Sequence, residues 1–214
     1  MTMKFGYKSI VFLFVSIVGM ISCSDEEEAF ATPVPDATGI FVDDRDGITY
    51  PWARYGDQEW MTDNMRFQTT EGAFRPDLTP VKPIYYDDGR NRKYYDNYGG
   101  LYDFTAANAA VPDGWRLPTD EDWNRLADRV GPYITEAIDL QFGGFYITAE
   151  SYSQQPIDFY AGVYGFYWTA TTDETKSENN FAFCRKIVYN KSGYEQKSIA
   201  KGHLLNVRCV RDVK

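Results

Sequence analysis

An α+β domain built on largely antiparallel strands is the fold class this sequence predicts, and three observations predict it. Short alternating strands open its ordered part, helical periods occupy the middle, and further strands close it. Strand and helix do not alternate in the βαβ manner that builds parallel sheets. Hairpin turns such as Asn190-Lys191-Ser192-Gly193 join neighbouring strands directly.

The first strand is expected from Thr38 to Asp44, leading to a turn at Arg45-Asp46-Gly47. Ile48 to Tyr55 alternates as the second hairpin arm, with Pro51 demoting it to an edge position or a bulge. Gly56-Asp57 is another turn, and Glu59-Trp60-Met61 begins a third strand that ends near Asn64-Met65. Arg66 to Tyr98 is polar, aperiodic and interrupted by Pro76, Pro80 and Pro83. Loops this long in a compact domain are usually functional or mobile.

A first helix is expected over Gly99–Ala110, where the alanines allow close packing. The second is more sharply marked. Thr119 suits the N-cap, because its hydroxyl can accept a hydrogen bond from an orphan N–H of the first turn. Asp120, Glu121 and Asp122 put negative charge at the positive end of the helix dipole. Asp122 stands where a capping box prefers Glu or Gln, so that box is expected to be approximate. Trp123, Leu126, Ala127 and Val130 form an apolar stripe, and Gly131-Pro132 should stop the helix. Strands then follow at Phe142–Thr148, Phe166–Thr171, Phe181–Tyr189, Tyr194–Ala200 and Leu204–Arg211. A Tyr-bearing loop, Glu150 to Gly165, separates the first two of these.

The N-terminus reads differently. Lys4 and Lys8 precede an apolar run from Ile10 to Ile21, too short to span a bilayer and suited to a secretory signal. Gly19-Met20-Ile21-Ser22 followed by Cys23 resembles a lipobox, in which the cysteine is lipid-modified and becomes the mature N-terminus. The cluster Ser24-Asp25-Glu26-Glu27-Glu28 is similar to the signal that sends lipoproteins of the Bacteroidota to the outer face of the outer membrane; it also reads as a solvated tether. Three parts are therefore expected: a signal over 1–22, a lipidated acidic and Pro-containing tether over 23–37, and one domain over 38–214.

The chain carries a net charge of −9, and loss of Lys4 and Lys8 would make it more negative. With no basic stripe, nucleic acid is not expected as a partner, and contact with the membrane is expected through the N-terminal lipid alone. Aromatic residues make up 17%, including 17 Tyr. Tyrosine-rich extracellular domains often bind sugars or proteins, because the ring offers area and the hydroxyl polarity. Besides Cys23, two cysteines remain, Cys184 and Cys209; in an exported, oxidising setting they are either a disulfide or two buried thiols. The single histidine, His203, has no partner histidine for metal or catalysis. Carboxylates cluster at Asp43-Asp44, Asp46, Asp87-Asp88 and Asp120–Asp122, in patterns that suit turns and caps better than a hydrolase pair.

Several blocks in order resemble one family. Asp46-Gly47, Gly56-Asp57-Gln58, Trp60-Met61 and Asn64-Met65 are similar to the opening motif of the Fibrobacter succinogenes major paralogous domain. So are Tyr98-Gly99-Gly100-Leu101-Tyr102, the run Gly114-Trp115-Arg116-Leu117-Pro118-Thr119 with Trp123, Tyr167–Thr171, and the closing Val207–Asp212. The resemblance implies a C-type lectin-like double-sheet fold with two flanking helices, over about Phe41 to Asp212. Pro112 follows Val111 where the family often has Cys-Pro, which leaves Cys184 as the one candidate partner for Cys209. A shared fold does not carry lectin activity with it. The Glu-Pro-Asn or Gln-Pro-Asp calcium loop of sugar-binding C-type lectins is broken here, since Ile157 follows Gln155-Pro156 and Thr169 follows Trp168. No metal and no cofactor is therefore expected.

These readings predict a non-enzymatic surface lipoprotein whose domain binds an extracellular glycan or protein. The alternatives are a structural or accessory subunit of a surface assembly such as a pilus tip, and a hydrolase. The Tyr-rich loop supplies the candidate ligand-binding residues Tyr152, Tyr160 and Tyr164.

Overall fold

The computed structural model describes residues 33–72, 74–75, 98–147, 157–176 and 180–213. The expected signal, Cys23 and Tyr152 lie outside the described residues, as do Asp87-Asp88 and Gln155-Pro156. Strands and helices follow the α+β order expected, and the named strand pairs are antiparallel.

Four strands form one sheet: β1 (Ala37–Val42), β2 (Thr49–Tyr55), β3 (Gln58–Met61) and β11 (Val210–Asp212), in the order β1-β2-β3-β11. A second sheet takes β8 (Tyr164–Thr172), β9 (Phe181–Val188) and β10 (Glu195–Ala200), with β9 in the middle. Two small pairs complete the strands, β4 (Phe74–Arg75) with β5 (Leu101–Tyr102) and β6 (Phe145–Ile147) with β7 (Ile157–Phe159). The helices are α1 (Phe104–Ala110), α2 (Asp120–Val130) and a short α3 (Ile134–Ala137), with one 3-10 turn, Gly131–Tyr133, between the last two.

Pro51 does not put β2 at an edge; the strand lies between β1 and β3. The reason is local. The Pro51 carbonyl accepts from Thr62 N (2.8 Å), so its donorless nitrogen points the same way, toward β3. The β2–β3 pairing starts only at Trp52↔Met61, so the missing N–H falls beyond the last rung. On the other side, the Trp52 indole covers Gly39 of β1 so closely that a Cβ there would collide with it.

The first helix begins later than periodicity suggests. Leu101-Tyr102 is strand, and Asp103 is the N-cap, its side chain accepting from Ala106 N at 2.7 Å. At the other end, Arg45 donates to the carbonyls of Ala109, Ala110 and Val111. Those are orphan acceptors of the last turn, and a cation there also suits the helix dipole. Asp43, buried beneath it, holds the guanidinium in place through Nε (2.9 Å) and Nη2 (2.7 Å).

The second helix is capped better than its sequence implies. Thr119 Oγ1 accepts from Asp122 N (3.2 Å), and Asp122 Oδ2 accepts from Thr119 N (2.7 Å), so the box is complete with Asp in place of Glu. The shorter side chain also reaches Arg116, whose guanidinium bridges Asp122 and Asp212 of β11. Gln58 Nε2 donates to the other Asp122 oxygen at 2.6 Å. Gly131-Pro132 ends α2, but the chain continues helically into the 3-10 turn and α3 rather than leaving for a strand.

Two buried clusters result. Core 1 holds Tyr50, Met61, Trp115, Phe166 and Trp168 with the alanines of α1. Core 2 holds Trp60, Tyr55 and Tyr167 with Trp123, Leu126 and Val130 of α2. Trp60 and Trp123 meet edge to face at 5.0 Å. Strand β8 alternates between the clusters, with Phe166 and Trp168 facing core 1 and Tyr167 facing core 2. Residues Leu204–Cys209, expected as strand, are extended and buried but make isolated bridges to several segments instead of one ladder.

Asp122 gives a stability test. Burial alone would raise its carboxyl, but Arg116 and Thr119 outweigh burial and hold the group below its ordinary value of 3.8. Its contribution is therefore complete above that value and lost as pH falls through the depressed folded value. Asp122→Asn should cost about 2–4 kcal/mol near pH 7 by leaving Arg116 short of an anion. In urea titrations the gap to the parent chain should narrow as pH falls below that ordinary value and through the depressed folded one. A gap independent of pH would show that the charge is not its source.

Candidate binding surface

The loop that closes onto β8 is shaped by two left-handed residues, Tyr160 (φ 65) and Gly162 (φ 81). Glycine adopts that conformation freely, whereas a tyrosine there stores strain of about 1 kcal/mol. The turn is held by Val163 N and Tyr164 N, both donating to the Tyr160 carbonyl at 2.9 Å, and by Gly162 N donating to Phe142 O at 2.6 Å. Tyr189, just past β9, donates its N–H to Val163 O at 2.9 Å. These bonds bring side chains from three segments to one end of the second sheet.

What they display is aromatic and partly exposed. Tyr160 is 54% exposed, Tyr189 58% and Val163 45%. The Tyr160 and Tyr164 rings lie 4.9 Å apart, and Phe142 meets Tyr189 edge-on at 5.6 Å. Lys186 Nζ sits 4.4 Å from the Tyr164 ring centre and 3.7 Å from Glu195. Tyr164 in turn touches Phe166 of core 1, so the patch rests on packed residues.

Of the three tyrosines picked from sequence, Tyr160 and Tyr164 come together; Tyr160 faces out and Tyr164 is half-buried. Tyr189, Val163 and Phe142 were not picked. Tyr189 stands directly before the turn at Asn190, and an aromatic residue at a strand end beside a tight turn is the signal that could have found it.

The base of the long loop is clamped by residues that were also missed. Asn64 Nδ2 (2.8 Å) and Asn206 Nδ2 (2.7 Å) both donate to the Tyr98 carbonyl. Gly99 (φ 68) packs against Asn64 and the Met65 carbonyl with no room for a Cβ. Arg208, fully buried beside them, donates to the carbonyls of Met61 (3.2 Å) and Asp139 (3.0 Å) and lies 5.7 Å from the Tyr167 ring.

The two described cysteines are free thiols, not a disulfide. Cys184 sits on the middle strand of the second sheet opposite Trp168, while Cys209 precedes the last strand of the first sheet, and both are buried in core 1. Burial pushes both thiols up to about 12, which keeps them protonated and unreactive. His203 is half-buried, and burial lowers its pKa. Among the carboxylates flagged from sequence, Asp43 holds Arg45, Asp46 accepts from Ile48 N, Asp120 pairs with Arg185, and Asp122 caps α2. Among the described residues, no three His, Cys, Asp or Glu side chains converge where they could hold a metal ion.

An α+β domain of two antiparallel sheets, with α2 against one core and α1 against the other, is the class this geometry defines. Residues 53–142 match the family model of the Fibrobacter succinogenes major domain, from within β2 to just before β6. The match contains the Gly-Trp-Arg-Leu-Pro-Thr run and α2; the tyrosine patch lies largely beyond it. No curated protein and no solved structure matches the chain.

Thiol mapping checks the cysteine state. Alkylation of the native protein should leave Cys184 and Cys209 unmodified, and unfolding without reductant should expose both to one reagent equivalent each. Recovery of a Cys184–Cys209 cross-linked peptide would show the opposite.

Proposed function

We propose that this protein is a lipid-anchored, surface-exposed outer-membrane protein whose C-type lectin-like domain binds an extracellular glycan or protein without catalysis. The observation that carries the reading is the ring pair of exposed Tyr160 and half-buried Tyr164 at the end of the second sheet. Rings with one face in solvent can stack on the apolar face of a sugar or receive an apolar side chain, and their hydroxyls add direction. The left-handed Tyr160 supports the same reading, because strain in an exposed residue persists where the position of its side chain matters. Support for the anchor is in the sequence: the apolar run, Cys23 and the acidic cluster after it.

Residues Thr32–Lys214 form one compact unit and can be tested in soluble form. On arrays of glycans and of surface proteins this unit should retain a ligand, and Tyr160→Ala should weaken it about tenfold, roughly 1.4 kcal/mol. Empty arrays, or a Tyr160→Ala variant that binds like the parent, would remove the reading. For the anchor, a fatty-acid label fed to cells should enter the chain and be absent from Cys23→Ser; label retained in that variant would place the lipid elsewhere.

A further inference from the structure

Among the described residues, β1 is the free edge of the first sheet, and it is unguarded. Natural sheets usually blunt an edge with Lys, Pro or a bulge. Ala37-Thr38-Gly39-Ile40-Phe41-Val42 has none of these and pairs with β2 in continuous register. Its inner face is fixed, with Trp52 over Gly39 and Phe41 edge-on to Trp115 at 5.5 Å. Its outer face shows Thr38, Ile40 and Val42, all exposed, with Ile40 at 70%.

The backbone points the same way. Asp43 N donates to Ile48 O on the β2 side at 2.9 Å. Alternation along an antiparallel ladder then turns the N–H and C=O of Val42, Ile40 and Thr38 away from β2, toward the open edge. Three donors, three acceptors and three β-branched side chains are thus presented together, as an added strand requires.

Charge selects the occupant. A second copy using all three residues would pair antiparallel about Ile40. That register sets Asp36 of each copy opposite Asp44 of the other, and like charges placed so are destabilising. Asp36 is already engaged by Arg129 and by Gly56 N, whereas Asp44 and Asp46 are exposed at the C-terminal end of the edge.

We propose that β1 is a strand-addition site for an extended protein segment with β-branched residues at alternate positions, preceded by Lys or Arg. Added antiparallel, the segment places its cations beside Asp44 and Asp46 and its apolar residues beside Val42, Ile40 and Thr38. The site is independent of the tyrosine patch.

The probe is a fluorescent peptide, Lys-Thr-Lys-Thr-Val-Thr-Val-Thr-Val, titrated with the full chain at low salt. Saturable binding is expected, with slowed amide exchange at Ile40. Replacing both lysines by glutamate should weaken binding at least tenfold. Ile40→Pro removes one outward donor without touching the β2 ladder and should also weaken binding at least tenfold; its thermal melt reports whether it folds. Ile40→Lys keeps the donor but sets a cation against the peptide, and should show the same loss should the proline variant not fold. No saturable binding, or equal affinity for the glutamate peptide, would overturn the proposal. So would a concentration-dependent dimer in sedimentation that either variant abolishes, since the occupant would then be a second copy.

Discussion

Everything in this domain hangs on the extended segment Leu204–Val210. All seven residues are buried, and a buried backbone outside a regular ladder must still place every N–H and C=O. It does so by bonding a different segment at almost every step. Leu204 pairs with Tyr146 and Leu205 with Tyr102, while Asn206 bonds Phe166 and Trp168. Val207 accepts from Met65, Cys209 from Met61, and Val210 pairs with Arg116. The segment therefore sets the register of β5, β6, β8, β3 and the turn before α2 together. Its side chains serve the same end, with Leu205, Val207 and Cys209 in core 1 and Asn206 clamping the base of the long loop.

Charge is handled inside the fold as carefully as apolar area. Arg185 and Arg208 are both fully buried, where an uncompensated cation is strongly unfavourable. Arg185 is set against Asp120 at the start of α2 and lies 4.8 Å from the Tyr194 ring. Arg208 has main-chain carbonyls and the Tyr167 ring instead. Arg116 joins the helix cap to the last strand, so the N-terminus of α2, β3 through Gln58 and β11 form one polar knot.

Local signals carried much of this fold. The stripe Trp123, Leu126, Val130 and the Thr119 cap lie within one helical segment, and their chemistry is complete within it. Hairpins with Gly47, Gly56 and Gly193 were equally plain, because positive φ favours glycine. What failed was non-local. Leu204–Arg211 has the composition of a strand, but which segments receive its hydrogen bonds depends on the whole fold. Pro51 was read by the rule for isolated strands, and only the length of β3 shows its missing donor to be harmless. Gly99–Ala110 reads as helix throughout until pairing with β4 claims Leu101-Tyr102. The exposed rings were half legible: Tyr160 and Tyr164 share a loop, but Phe142 and Tyr189 meet from distant positions in sequence.

The way β8 is shared has a consequence for folding. Its alternate residues belong to opposite cores, so neither core can be completed while the other is open. The segment that ties them together comes after every other strand but β11. Most decisive contacts therefore join distant parts of the chain, and topologies of this type form slowly because loops must close before any contact rewards them. No fragment ending before Leu204 holds a finished core. The domain should accordingly behave as one cooperative unit, with no stable half to populate as it folds.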